Sequence, residues 1–171
     1  MYETNLHVIA AIAAGKDEEN DHFLRSLAHH DDEVLDAMAK ELNGTVGGAI
    51  SCTDCGNCCN HLIVNITHEE ITGLSSYLDM PEPEVREKYI EESLAGNCFI
   101  NSVPCHFLKE KKCSIYEGRF TECRDFPHLH KSGFRKRFLG TLLHYGSCPI
   151  IFNVVEVMKK RLGFIEAKGN S

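Results

Sequence analysis

The chain has 171 residues, of which 43% are hydrophobic and 25% are charged, and its formal net charge is −7. These values are typical of a globular protein, and the length suits one domain with a modest core. No apolar run approaches the roughly 18 residues of a membrane-spanning helix, and the first residues lack the basic and apolar segments of a secretory signal. We therefore expect a cytoplasmic protein.

Three amphipathic helices are predicted before residue 50, because apolar residues recur there at intervals of three and four. These repeats begin at Leu6, at Phe23 and at Val34. Asp31-Asp32-Glu33 suits the amino end of the third helix, and Asn43-Gly44 is expected to end it, with Gly47-Gly48 loosening the chain beyond. Residues 1–50 are predicted to be a helical arm that packs on the rest of the chain or binds a protein partner.

Helices and short strands are predicted to alternate after residue 60. Thr67 and Glu70 form the pattern of a capping box, which predicts a helix that continues to about Leu78. The other predicted helices lie at residues 83–94 and 150–162, and short strands are predicted near residues 61–66, 105–108 and 113–116. This pattern predicts a mainly α fold with short β hairpins and irregular loops, in which one small domain of helices surrounds a cysteine-rich centre.

We divide the chain into a helical arm (1–50), a cysteine domain (51–162) and a tail (163–171). The charge is uneven across these regions: residues 1–108 are acidic, whereas residues 109–137 carry nine bases and four acids. Such a basic segment could bind nucleic acid. Because few aromatic residues lie between the bases, we instead expect them to surround negatively charged sulfur, and neither nucleic acid nor membrane is an expected partner.

Eight of the nine cysteines belong to one pattern, in which C-x2-C-x2-C-C precedes four more. They are Cys52, Cys55, Cys58, Cys59, Cys105, Cys113, Cys123 and Cys148. In a reducing cytosol such clusters are metal ligands more often than disulfides, and C-x2-C on one turn serves both zinc and iron–sulfur sites. The adjacent pair Cys58-Cys59 diverges along the backbone, which indicates two metals, or one cluster with a ligand from elsewhere. Gly56 lets the chain turn sharply between them.

The remaining candidates have weaker patterns. Cys98 stands alone after a predicted helix and is expected to be a buried free thiol. His61, His128 and His130 lie near cysteines and could complete a site with an open position, although ordinary polar surface explains each of them as well. In an extended segment, His128 and His130 would share one face. Arg124 is expected to donate to a sulfur or to a backbone carbonyl.

These motifs resemble the YkgJ-like cysteine-cluster proteins, to which a zinc- or iron-chelating role is ascribed. The resemblance covers residues 50–162 and rests on the cysteine loop, the capped helix, Pro104-Cys105-His106-Phe107-Leu108, residues 113–117 and residues 119–127. Phe120 departs from the family, which usually has proline there. The resemblance implies that the eight patterned cysteines are the metal ligands.

Three functions follow as expectations. The first is an iron–sulfur or zinc protein, with iron–sulfur ahead, that has a redox role or is accessory to a modification enzyme. The second is a zinc-stapled adaptor that binds a partner without catalysis. The third is a metal-dependent enzyme with an open site near His128 and His130.

Overall fold

Helices dominate residues 1–165, which are the part of the chain that this computed structural model describes. The α-helices are α1 (Leu6–Ala13), α2 (Asp17–Ser26), α3 (Asp32–Ala49), α4 (Cys52–Cys55), α5 (His68–Leu78), α6 (Glu82–Tyr89), α7 (Thr121–Asp125), α8 (Phe134–Leu142) and α9 (Pro149–Arg161). Single 3-10 turns lie at Leu27–His29, Asn57–Asn60 and Tyr116–Gly118. The mainly α prediction is confirmed. Most of the predicted tail, from residue 166 onward, lies outside the described residues.

The strands are short and form two antiparallel sheets. They are β1 (Asn65–Ile66), β2 (Ile90–Glu92), β3 (Cys98–Ile100), β4 (Leu108–Lys109) and β5 (Lys112–Cys113). The first sheet has the order β1-β3-β2, with Asn65 and Glu91 both opposite Phe99. The second sheet is the hairpin of β4 and β5, in which Leu108 pairs with Cys113.

The described residues group into two compact units. The first unit contains residues 1–51 together with the chain from Pro127 onward, and the second is the continuous stretch Cys52–Phe126. The boundary predicted after residue 50 lies beside the first junction. Residues 127–162, which we assigned to the cysteine domain, group instead with the amino-terminal helices. Within residues 1–165 there is no helix with the length and apolar character needed to cross a membrane.

The first unit is a helical assembly in which α3 contacts both α8 and α9. Phe23, Phe134 and Phe138 are fully buried in it. The amino end of α8 is capped from outside the helix, because the Asp36 carboxylate of α3 accepts hydrogen bonds from the backbone N–H groups of Gly133 (2.8 Å) and Phe134 (2.7 Å). This contact satisfies two of the N–H groups that a helix leaves without partners at its start.

The predicted end of α3 was wrong. The helix passes through Asn43-Gly44 and continues to Ala49, and its N-cap is Asp31. Val46 is fully buried, and a Cβ on Gly47 would lie 3.9 Å from Ile150. Packing against α9 therefore stabilises a last turn that the glycines alone disfavour.

The second unit has its own core beneath α5 and α6. Ile71, Leu74 and Val85 come from the helices, and Cys98 and Ile100 come from β3. The capping box at Thr67 and Glu70 is present as predicted. The helix predicted to reach Leu94 ends at Tyr89, because the chain continues as strand β2. Strand β3 and helices α7 and α8 were not predicted. Cys98 is 4% exposed, which confirms the prediction of a buried thiol.

Candidate metal centre

The first four cysteines lie on two consecutive turns of opposite character. Cys52 and Cys55 are the ends of the single helical turn α4, which closes with a 3.0 Å hydrogen bond from the N–H of Gly56 to the carbonyl of Cys52. Gly56 then takes a left-handed conformation with φ +58°. The following 3-10 turn holds Cys58 and Cys59. The sharp turn that the sequence predicts at Gly56 is therefore confirmed.

Two further cysteines are held against this loop by backbone contacts. The N–H of Cys105 donates to the carbonyl of Cys59 at 2.9 Å. Cys113 is the last residue of β5, and the hairpin that carries it turns at Glu110 and Lys111. Gly56 packs so closely on this turn that a Cβ there would lie 2.1 Å from the carbonyl oxygen of Lys111.

Cys123 is positioned by the short helix α7. Glu70 Oε1 accepts a hydrogen bond from the N–H of Thr121 at 2.7 Å, while its other oxygen accepts from the N–H of Thr67 at 2.9 Å. At the same helix, Glu122 accepts from the N–H of Asn65 in β1 at 2.8 Å. One carboxylate thus serves the amino ends of both α5 and α7, because each of these ends has N–H groups without intrahelical partners.

These contacts bring six of the eight predicted ligands to the wall of one cavity of about 200 Å³ in the second unit. The six are Cys52, Cys58, Cys59, Cys105, Cys113 and Cys123. Cys55 is half-buried on the same helical turn as Cys52. Cys148 belongs to the first unit, where it is buried at the residue before α9. The eight cysteines of the second unit, including Cys98, are all free thiols.

Besides Thr53, Gly56 and Tyr116, the rest of the cavity wall is apolar or basic. Its apolar members are Leu62, Val64, Phe107, Ile115, Phe120 and Phe126, and its basic members are Lys111, Arg119 and Arg124. Arg119 also stacks on the ring of Tyr116 at 3.8 Å and donates to its backbone carbonyl at 2.7 Å. Three bases of the basic segment therefore lie where sulfur is concentrated, as the charge pattern predicts. Arg119 was predicted only as one base of this segment and as part of the family motif, without a role of its own.

Burial favours the protonated form of several of the cavity thiols. It raises the pKa of Cys52, Cys105 and Cys113, although Arg119 opposes the shift at Cys52 and Cys113. Burial, reinforced by the charges of neighbouring cysteines, raises the pKa of Cys123 to about 12. A hydrogen bond with Cys58, together with burial, raises the pKa of Cys59. Because metals bind thiolates, metal uptake at this site must release protons.

The histidines stand apart from this arrangement. His61 is exposed, and none of His61, His128 and His130 lines the cavity. The extended conformation in which His128 and His130 would share one face does not form: His128 has φ +60°, and a turn follows. The guanidinium of Arg137 stabilises this turn, because it donates to the carbonyls of His128 (3.0 Å), Lys131 and Ser132 (3.2 Å).

A family model matches residues 51–142, more than half of the chain, and describes the family as CxxCxxCC, "Putative zinc- or iron-chelating domain". The chain belongs to this family. The match confirms the resemblance predicted from the sequence, and the CxxCxxCC region includes every cavity cysteine but not Cys148. Comparisons with curated proteins and with solved structures give no significant match.

The residues of the cavity fit a metal centre in donor type. Cysteine thiolates are ligands of zinc and of iron–sulfur clusters, and six cysteines line this one cavity. Within residues 1–165, however, no three His, Cys, Asp or Glu side chains are already grouped to hold an ion. The donor set fits, therefore, and binding requires the thiols to lose protons and turn toward one another.

Proposed function

We propose that the CxxCxxCC protein binds an iron–sulfur cluster in the cavity of the second unit. The proposed ligands are the seven patterned cysteines of this unit: Cys52, Cys55, Cys58, Cys59, Cys105, Cys113 and Cys123. Cys148 belongs to the first unit and is not assigned to this cavity. The observation that carries the proposal is the convergence of six of these thiols on one cavity. Such a cluster supplies one-electron transfer.

The size of the cavity favours a group of several atoms. A structural zinc ion is enclosed by four sulfur ligands and needs little space beyond them. A cavity of about 200 Å³ has the volume of several water molecules, at about 30 Å³ each. Six thiols are also more than one tetrahedral ion can use.

The other wall residues suit a negatively charged sulfur centre. Lys111, Arg119 and Arg124 contribute positive charge that offsets thiolate charge. Phe107, Phe120 and their apolar neighbours limit water at the centre, and polarity and hydrogen bonding around sulfur tune the reduction potential.

The proposed role is redox chemistry, or an accessory function to a modification enzyme, in the cytoplasm. The support for this setting is the group of unbridged thiols, because a reducing compartment keeps such thiols available for metal. No observation at the cavity favours an open enzymatic site at His128 and His130.

Purification without oxygen, followed by assay of iron, zinc and acid-labile sulfide, tests the proposal. We expect iron and sulfide in comparable amounts and a broad visible absorption that reduction bleaches. Colourless protein with stoichiometric zinc and no sulfide would instead support the zinc-stapled adaptor. Protein that takes up neither metal, after reconstitution as well as after purification, would contradict both.

A further inference from the structure

Helix α8 has one face that no described residue of the first unit covers. This face consists of four exposed residues: Lys136, Leu139, Gly140 and Leu143. They follow one another at intervals of three, one and three residues and therefore form one stripe along the helix. Leu139 is 60% exposed and Leu143 is 78% exposed. The opposite face of the helix is buried through Phe134, Phe138 and Thr141. The two leucines lie one turn apart on the helix and so form an exposed apolar patch, a feature found at interaction surfaces.

A groove of about 650 Å³ runs beside this stripe. One wall consists of Leu139, Leu142 and Leu143, and another consists of the alanines of α1 and the turn that follows it. The alanines are small, so another helix can approach closely at this wall. The floor includes Asn20 and Tyr145, which are 6% and 2% exposed.

The groove carries negative charge at one end. Asp17, Glu18 and Asp21 line it, of which Asp21 is paired with Arg25 at 3.5 Å, and among residues 1–165 no basic side chain lines it. The acidic end lies beside the carboxyl end of α8: a Cβ on Gly146 would lie 3.1 Å from Ala13, and Asp17 begins the next helix. The exposed base of the stripe, Lys136, lies near the other end of α8.

We propose that a second copy of this chain occupies the groove, with the two α8 helices antiparallel about a two-fold axis. A two-fold interface must carry its own complement, because the same patch serves both partners. The α8 stripe meets this condition, since it has a base at one end, leucines along it and acids beyond its other end. Lys136 and Leu143 are seven residues apart, or about 10 Å along the helix. In the antiparallel pair, Lys136 of each copy therefore reaches the acidic end of the other copy's groove.

Gly140 lies between the two leucines and suits this pairing. A Cβ built there meets nothing within 4 Å, so the centre of the stripe is open. The antiparallel order also places the positive end of each helix dipole beside the negative end of the other. Both the apolar contact and the charge contact are thus made twice in the dimer.

Sedimentation velocity of the purified full chain, from micromolar to millimolar concentration, tests the proposal. We expect a monomer–dimer equilibrium that weakens at high salt, because exposed charges are screened. Leu139→Asp is expected to weaken the dimer at least about tenfold. Val34→Asp is the matched control, since Val34 is 52% exposed on α3 and does not line the groove; it should leave the dimer unchanged.

A charge exchange keeps the test informative if Leu139→Asp misfolds. Lys136→Glu should weaken the dimer. Adding Asp17→Lys and Glu18→Lys to Lys136→Glu should restore it. Lys40→Glu, on α3, should leave the dimer unchanged. A wild-type chain that is monomeric throughout, or a dimer that none of these changes weakens, would overturn the proposal. Since no altered residue lines the cysteine cavity, the metal content should be constant, and the two proposals can fail separately.

Discussion

Gly56 lies against the carbonyl oxygen of Lys111, so closely that a Cβ would come within 2.1 Å of it. The contact joins the first cysteine loop to the hairpin that carries Cys113. Glycine is required at position 56 for two reasons. A side chain would collide with Lys111, and the φ of +58° would strain any other residue. The cysteine loop and the hairpin turn, which are far apart in the sequence, can therefore touch here because residue 56 has no side chain.

Gly56→Ala is expected to lower the free energy of unfolding by about 3 kcal/mol, since it combines left-handed strain with a clash against backbone. Gly96→Ala is the matched control. It has φ +80°, but its Cβ would lie 4.0 Å from the nearest atom, so only strain of about 1 kcal/mol is expected. Denaturant unfolding of the metal-free protein measures both. Equal losses would show that the Lys111 contact contributes nothing.

Replacing Cys55 or Cys58 by serine is expected to abolish stoichiometric metal and to destabilise the metal-bound fold by several kcal/mol, because binding and folding are coupled at such sites. Cys98→Ser is the control, since Cys98 is a buried thiol of the same unit that does not line the cavity. Its metal content should match the wild type. The metal content of the three variants, prepared identically, is the measurement. Equal metal loss in all three would refute the assignment of Cys55 and Cys58, but not Cys98, as ligands.

The hairpin turn offers a stabilising change. Glu110 and Lys111 both have positive φ, 50° and 67°, in a two-residue connection between β4 and β5. Such turns favour Asn-Gly. Glu110→Asn with Lys111→Gly should therefore raise the free energy of unfolding of the metal-free protein by about 1 kcal/mol. Lys109→Gly, in the adjacent strand, should lower the free energy of unfolding. If both variants lower it, the turn is not strained.

Asp36 should make stability depend on pH in the acid range. Its pKa is lowered, first by the N–H of Phe134 and then by that of Gly133, against the effect of burial. A carboxyl group whose pKa is lowered by folding stabilises the folded state fully at pH values above its ordinary pKa of about 3.9. This stabilisation is lost as the pH falls through the pKa of the folded state. Because the side chain is partly exposed, the effect is about 0.5 kcal/mol.

Asp36→Asn keeps an oxygen that can accept these hydrogen bonds but removes the charge. The gap in unfolding free energy between wild type and Asp36→Asn should be constant near neutral pH and should close in acid. Glu33→Gln, at an exposed position of the same helix, provides the comparison. A gap that stays open in strong acid would assign the effect to geometry rather than to charge.

The sequence predicted best what depends on neighbours along the chain. The capping box needs only Thr67 and Glu70, three residues apart, and the left-handed Gly56 needs only its own missing side chain. The bond from Thr121 to Glu70 spans 51 residues. No local pattern contains that information, so the shared cap on α7 was not predicted.

Tertiary contacts also explain the errors. Gly47 continues a helix because Ile150 packs beside it, although glycine alone disfavours helix. Strand β3 contains only three residues and forms because β1 and β2 flank it. At the candidate site, the cysteine spacing predicted a metal-binding loop, whereas the shape of the cavity and the position of Arg119 depend on contacts across the whole second unit.

The second unit is one uninterrupted stretch, Cys52–Phe126, whereas the first is assembled from segments on either side of it. During synthesis, the cysteine-bearing unit therefore emerges whole from the ribosome before α8 and α9 do. The helical unit cannot close until these two helices have emerged as well. The order of synthesis thus gives the thiols their first opportunity to capture metal while the earlier helices still wait for their partners.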